Sequence, residues 1–243
     1  MIKKIVFKNI VFNNFNHDDF DKIISKKGLF TFPSGPGLAS IDDSKKYYNS
    51  LKKADYVFLD SGFFVLLLKL FKRIKVNKFS GYKFLNLFFK YLKENNDKSI
   101  FCIDPNNKFS KSNKTYIKKL GIKKIYNYTA PKYDPNNLYD KKLLKKIKKI
   151  KPNFIITNIG GGTQEILGLY LRENLKFKTS ILCNGGAISF FTGDQAPIND
   201  LVDKLYLGWF VRLIFNPFTF FKRYFYALKL LPMVIINNVK IKI

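Results

Sequence analysis

Three glycines stand together at Gly160, Gly161 and Gly162, directly after the run Phe154-Ile-Ile-Thr-Asn-Ile159 and directly before Thr163-Gln-Glu-Ile-Leu167. The run before them has the apolar pattern of a buried parallel strand. Gln164, Glu165, Leu167, Tyr170 and Leu171 then continue at helical spacing. A strand, a glycine turn and a helix start place backbone N–H groups where they can face an anion. A Cβ at such a turn blocks close approach of a phosphate and disfavours positive φ. The full G-x-G-x-x-G dinucleotide pattern is absent, so a plain tight turn accounts for the same residues equally well. Gln164 and Glu165 are the polar pair expected to point from this turn into a ligand crevice.

A second chemical position is Asp60. The stretch Tyr56-Val-Phe-Leu-Asp60 reads as a strand that delivers a carboxylate to the sheet's carboxyl edge. Ser61 and Gly62 follow, and residues 63–71 read as a buried helix. A carboxylate between an apolar strand and an apolar helix is costly unless hydrogen-bonded or used. Two readings stay open: Asp60 caps the helix through the N–H groups of residues 62 and 63, or it is a catalytic base. A third position is the loop Thr31-Phe-Pro-Ser-Gly-Pro-Gly37, at the end of a strand expected over residues 29–32. Its two prolines and two glycines are expected to break regular structure, and it lies where open α/β sheets place ligands. A rigid connector is the alternative. The lone histidine, His17, is N-terminal and gives no basis for a Ser-His-Asp triad. Cys102 and Cys183 with that histidine do not make a zinc site.

The elements that must carry these positions alternate. Further strands are expected over residues 5–7, 99–103, 125–128 and 180–183. Helices are expected over residues 18–25, 41–51, 84–92 and 138–150, with another closing at Gly121. Asp42 or Asp43 falls in the first turn of the 41–51 helix. This order describes an α/β chain with a Rossmann-like, mostly parallel sheet and helices on both faces. After Asp194-Gln-Ala-Pro197 the composition changes. Trp209, Phe210, Phe215, Phe218, Phe220, Phe221, Tyr224, Phe225 and Tyr226 interleave with Lys204, Arg212, Lys222, Arg223 and Lys229. Pro217 divides this stretch into two short amphipathic helices. The reading is therefore a core over residues 1–199 and a C-terminal helical appendage over 200–243. Too charged to span a bilayer, the appendage is aromatic and basic enough to lie in its interface, or to pack back on the sheet.

Forty-four Lys and Arg against 17 Asp and Glu give a net charge of +27, which attracts anionic partners without choosing between nucleic acid and lipid headgroups. The lysines are dispersed rather than gathered on a nucleic-acid-binding module. Two cysteines fit a reducing cytoplasm. The N-terminus lacks the continuous apolar stretch of a signal peptide, and no run reaches 18 apolar residues.

Several motifs, in order, carry a resemblance. They are Ala54-Asp55, Asp60-Ser-Gly62, Ser80-Gly81, Tyr128-Thr-Ala-Pro131, Gly160-Gly-Gly-Thr-Gln-Glu165 and the stretch from Gly185 to Gly193. Ala196-Pro197, Leu207-Gly-Trp209, Arg212-Leu213, Asn216-Pro217 and Arg223-Tyr224 complete the series. Over residues 28–230 the chain resembles glycosyltransferase family 26, the TagA/WecG/CpsF group. The resemblance implies a GT-E-like fold. It also implies an inverting, metal-independent transfer of an N-acetylhexosamine-type or related sugar from a UDP-sugar to an undecaprenyl-diphosphate-linked saccharide. The work is expected on the cytoplasmic face of the membrane, with an anionic lipid surface as partner, no nucleic acid, and self-association left open.

Carried over by position, Asp60 is the general base, and Thr31 and Gln164 help hold substrate. Arg212 and Arg223 meet the acceptor diphosphate. Ser34, Lys78, Gly160, Gly161, Gly162, Glu165 and Gln195 complete the expected binding set. The chain departs from the family pattern at Thr31-Phe-Pro-Ser34, where Thr-Pro-Asn is usual, and at Asp60-Ser-Gly62, where Asp-Gly is usual. It also has Lys78 where arginine is common. Two other classes remain as alternatives: a nucleotide-cofactor oxidoreductase built on the glycine turn, and a basic nucleic-acid-binding protein.

Overall fold

A computed structural model describes residues 3–196 and 198–242. Met1, Ile2, Ile243 and Pro197 of the Ala196-Pro197 motif lie outside the described residues. Among the described residues nine strands form one sheet: β1 (Lys4–Phe7), β2 (Ile10–Asn13), β3 (Gly28–Thr31), β4 (Tyr56–Phe58), β5 (Ile100–Asp104), β6 (Ile125–Thr129), β7 (Phe154–Thr157), β8 (Ser180–Cys183) and β9 (Val239–Lys242). Their order is β6-β5-β7-β8-β3-β4-β2-β1-β9. The stretch from β6 to β2 is parallel, and β1 runs antiparallel to both β2 and β9. The mostly parallel α/β architecture expected from the sequence is therefore present.

Period-2 alternation explains the layers. In β5, Ile100 and Cys102 face one core, while Phe101 and Ile103 face another. In β7, Phe154 and Ile156 oppose Ile155 in the same way. The first face packs on the helix Gly81–Glu94 through Phe84, Leu85, Phe88 and Leu92. The opposite face packs on the helices Lys141–Ile150 and Thr163–Asn174 through Leu143, Ile147, Leu167 and Leu171. Beside them lie the helices Lys45–Lys53, Gly62–Lys72 and Leu230–Ile236, over β1, β2 and β4.

Several local expectations are corrected. β2 was hidden because Lys8 and Asn9, both at positive φ, make a two-residue hairpin without the usual glycine. The loop after β3 does not stay irregular. Ser34 caps Gly37 N–H at 3.4 Å, and Pro36 sits in the first turn of a short helix, Gly35–Ala39, where its missing N–H costs nothing. The helix expected at 41–51 is Lys45–Lys53, because Ser44 accepts from Tyr47 N–H and starts it there. Asp42 and Asp43 lie outside and pair with Lys8 and Lys229. The helix Gly62–Lys72 is buried on one side only, since Leu66, Leu70 and Phe71 are exposed. The C-terminal segment is helical at Asp200–Lys204, Gly208–Phe215, Pro217–Ala227 and Leu230–Ile236, but it ends as a sheet strand, β9.

Candidate active site

The parallel strands deliver their carboxyl ends to one cavity of about 580 Å³. Ser34, Asp60, Lys78, Gly160, Gly161, Gln164, Glu165, Gln195, Arg212 and Arg223 all line it. Thr31 does not: it is fully buried in β3, and its Oγ1 has no hydrogen-bond partner among the described residues. Gly162 stands just outside the wall, at φ +87°, where it supplies the left-handed turn into the helix Thr163–Asn174.

Asp60 follows β4 but does not cap the helix behind it. That role belongs to Ser61, whose Oγ accepts Phe64 N–H at 3.2 Å. Asp60 reaches across instead: its Oδ1 accepts Gly81 N–H at 2.8 Å, at the N-terminus of the helix Gly81–Glu94. A helix N-terminus favours the ionised carboxylate, and Lys78 and Arg212 act in the same direction. Burial acts against it and prevails, so the carboxyl is pushed up to about 6. An acid of that strength is poised for general base work near neutral pH.

The glycine turn is built by its own neighbours. Gly162 N–H donates to Glu165 Oε2 at 2.7 Å, and Gln164 Nε2 donates to Glu165 Oε1 at 2.9 Å. Gln164 also donates to Cys183 O at 3.1 Å and accepts Gly185 N–H at 2.6 Å. Gln164 thus spans from the turn to the end of β8, with both ends of its amide engaged inside the protein. Glu165 is buried, which pushes its carboxyl up to about 7. The Gln164 and Gly162 bonds oppose that rise, and the Asp60 charge adds to it. At Gly160 and Gly161 a Cβ would meet nothing within 4 Å, because both face open space.

The C-terminal segment closes the cavity from the other side. Lys78 Nζ donates to Asp203 Oδ1 at 2.7 Å and to Asp203 O at 2.8 Å, and Ser80 Oγ donates to Asp203 Oδ2 at 2.9 Å. Lys78 also lies 4.9 Å over the Tyr206 ring, which packs so tightly on Gly62 that a Cβ there would lie 2.5 Å from Tyr206 Cδ1. Trp209, Phe220, Tyr224 and Leu228 add apolar wall. The Arg212 guanidinium lies 4.7 Å over the Phe190 ring, and its buried Nε has no hydrogen-bond partner among the described residues. Burial and the neighbouring Arg212 pull Arg223 down from its usual value. Among the described residues neither arginine forms an ion pair. Arg73, Arg172, Arg212 and Arg223 are the only arginines in this lysine-dominated chain, and the last two sit together on the cavity wall.

Sequence reasoning missed Tyr47, Asp203 and Asn158. Tyr47 is buried beside Gly37, and its hydroxyl is pushed well up by burial and then by the Glu165 and Asp60 charges. Its place in a helix of lysines and polar residues gave no sign of that role. Asp203 carries no local signal, since its partners are more than a hundred residues away. Asn158 was in plain view, two residues before the glycines. Among the described residues no group of three or more His, Cys, Asp or Glu side chains gathers in metal-ligating geometry.

An α/β sheet with a crevice at its strand ends, lined by a raised carboxyl and two arginines, places the protein in the class of α/β proteins that hold ligands at the carboxyl edge of the sheet. The particular family follows from comparison. The chain matches the Glycosyl transferase WecG/TagA/CpsF family over residues 5–242 and belongs to it. It is therefore a glycosyltransferase of cell-surface polysaccharide synthesis. No curated protein matches the chain. No helix among the described residues is long and apolar enough to cross a membrane.

Proposed function

We propose that the chain moves an N-acetylhexosamine-type or related sugar from a UDP-sugar to a polyprenyl-diphosphate-linked saccharide, with inversion and without a metal, as a hexosyltransferase. The observation that carries this reading is Asp60, a carboxylate with a carboxyl near 6, in the same cavity as the glycine turn and two unpaired arginines. Asp60 takes the proton from the acceptor hydroxyl as that oxygen bonds to the sugar's anomeric carbon. The bond from that carbon to the diphosphate oxygen breaks, and UDP leaves with the electron pair. One displacement inverts the anomeric centre. Backbone groups at Gly160 and Gly161 lie beside the donor diphosphate. Arg212 and Arg223 grip the acceptor diphosphate through planar, bidentate guanidinium groups. The protein works on the inner face of the cytoplasmic membrane, where the exposed aromatic side chains of the C-terminal helices enter an anionic surface.

The test is a screen of UDP-sugars against a synthetic polyprenyl-diphosphate saccharide, with the product's anomeric configuration read by NMR. Transfer with retained configuration overturns the single-displacement role of Asp60. Transfer only from a non-uridine donor overturns the donor assignment.

A further inference from the structure

At the carboxyl ends of β5 and β7, the cavity wall holds a polar cluster that the proposed chemistry leaves unused. Asp104 is fully buried and accepts three side-chain amides. Asn113 Nδ2 and Asn158 Nδ2 each lie 2.7 Å from its Oδ1, and Asn127 Nδ2 lies 3.0 Å from its Oδ2. Each amide turns its nitrogen toward Asp104 and its carbonyl oxygen away. Asn113 and Asn158 are more than nine-tenths buried, their Oδ1 atoms have no partner among the described residues, and both residues line the cavity. Asn127 Oδ1 is also unpartnered, but Asn127 is not part of the cavity wall.

A buried acceptor left without a donor is costly. A third such acceptor on the wall, Asn184 Oδ1, stands outside the Asp104 cluster, since its Nδ2 donates to Gly81 O at 3.4 Å. The two held by Asp104 mark a place for a ligand's donor groups. Both amide nitrogens meet the same carboxylate oxygen, so the two amides are neighbours, and an acceptor pair suits a donor pair. A phosphate brings only acceptors. A uracil edge brings one N–H flanked by two carbonyls, which an acceptor pair repels. A vicinal diol brings two adjacent O–H donors. Pro105 and Phe109 supply an adjoining apolar surface of the kind that covers a nucleoside.

Resting on the donor reading above, we propose that Asn113 and Asn158 receive the ribose 2′- and 3′-hydroxyls of the donor nucleotide. Asp104 is the positioning residue that fixes both amides. Asn158 precedes the glycine turn by two residues, so the chain leads from a ribose site to a diphosphate site and on toward Asp60.

The test is calorimetry of the full chain with UDP, 2′-deoxy-UDP and 3′-deoxy-UDP. These ligands carry no transferred sugar, so any diol effect belongs to the ribose. Each deoxy analogue is expected to bind about 10–100-fold more weakly than UDP, the usual consequence of leaving a buried acceptor unpaired. Asn158→Ala is expected to weaken UDP to the level of one deoxy analogue and to abolish discrimination against that analogue alone, while the other, whose missing hydroxyl meets Asn113, still binds more weakly. Equal affinity of the unmodified chain for all three ligands overturns the ribose subsite and leaves the UDP-sugar reading standing. No UDP binding by a folded chain overturns both. Should Asn158→Ala fail to fold, the analogue series on the unmodified chain decides alone.

Discussion

Replacing Asp60 by Asn separates a catalytic carboxylate from a structural one, because the two roles predict opposite changes in stability. The carboxyl is pushed up from 3.8 to about 6, with burial as the largest cause. That rise amounts to about 3 kcal/mol against the ionised form before solvent screening, and Asp60 is not fully enclosed. A carboxyl raised in the folded state binds its proton more tightly there than in the unfolded chain. Its contribution to stability is therefore fully present below about pH 4 and is lost as pH rises through about 6. Asn keeps an oxygen that can accept Gly81 N–H but carries no charge to bury. Asp60→Asn should accordingly melt about 2–6 °C higher than the parent at pH 7.5, a gain of about 1–2 kcal/mol in a chain of this size. The difference should vanish near pH 4.

Turnover of the same variant should fall about 10²–10⁴-fold, the usual worth of general base catalysis. In the parent, transfer should rise with pH up to about 6 and level off above it. At pH 5 about one-tenth of the base is ionised, so the rate should be about one-tenth of its plateau. The assays are calorimetric melting at pH 4 and 7.5 and a pH profile of transfer to a lipid-linked acceptor. A melting temperature several degrees lower at pH 7.5 makes Asp60 a structural acceptor. Unchanged turnover removes it from the chemistry.

Gly161→Val adds a side chain that meets only open cavity; circular dichroism should report an intact fold while UDP affinity falls about tenfold or more, as expected when a Cβ blocks close approach to a phosphate. Lys78→Met frees Asp203 from its ion pair; emission of Trp209, the chain's single tryptophan, should shift, and transfer to the lipid-linked acceptor should fall about tenfold with UDP affinity little changed. Phe218, Phe221 and Phe225 are 91%, 64% and 69% exposed; changing all three to Ser should lower binding to anionic liposomes in flotation by about 10²-fold or more, from roughly 1 kcal/mol of partial burial each. Unchanged flotation in that triple variant refutes membrane docking through this face.

The alternating core was legible because buried parallel strands are short, apolar and bounded by turns, as β5, β7 and β8 are. The strands that escaped had the opposite character. β2 follows a turn with no glycine, and β9 reads Val-Lys-Ile-Lys, the alternation of a half-exposed edge that the tail's composition concealed. Asp60 and the glycine turn were visible because strand ends and glycines have local signatures. Their partners were not. Gly81, which fixes Asp60, and Asp203, which fixes Lys78, are joined to them only by the fold.

The C-terminal segment shows why pattern alone could not choose between docking and packing. In the helix Pro217–Ala227, Phe218, Phe221 and Phe225 recur at i, i+3 and i+7 and face outward. Phe220, Arg223, Tyr224 and Ala227 recur at the same spacing on the cavity side. Both faces are aromatic, so hydrophobicity cannot tell them apart. What distinguishes the inner face is its arginine, held without an acidic partner among the described residues. The next helix goes further inward: Leu230 and Val234 are fully buried against Phe64 and Leu68, and β9 completes the sheet on β1. Cutting the chain at Asp200 would strip those contacts as well as the outward face. Loss of liposome binding after such a cut would then report unfolding. Only substitutions confined to the outward phenylalanines separate a surface that meets lipid from a wall that the active site cannot do without.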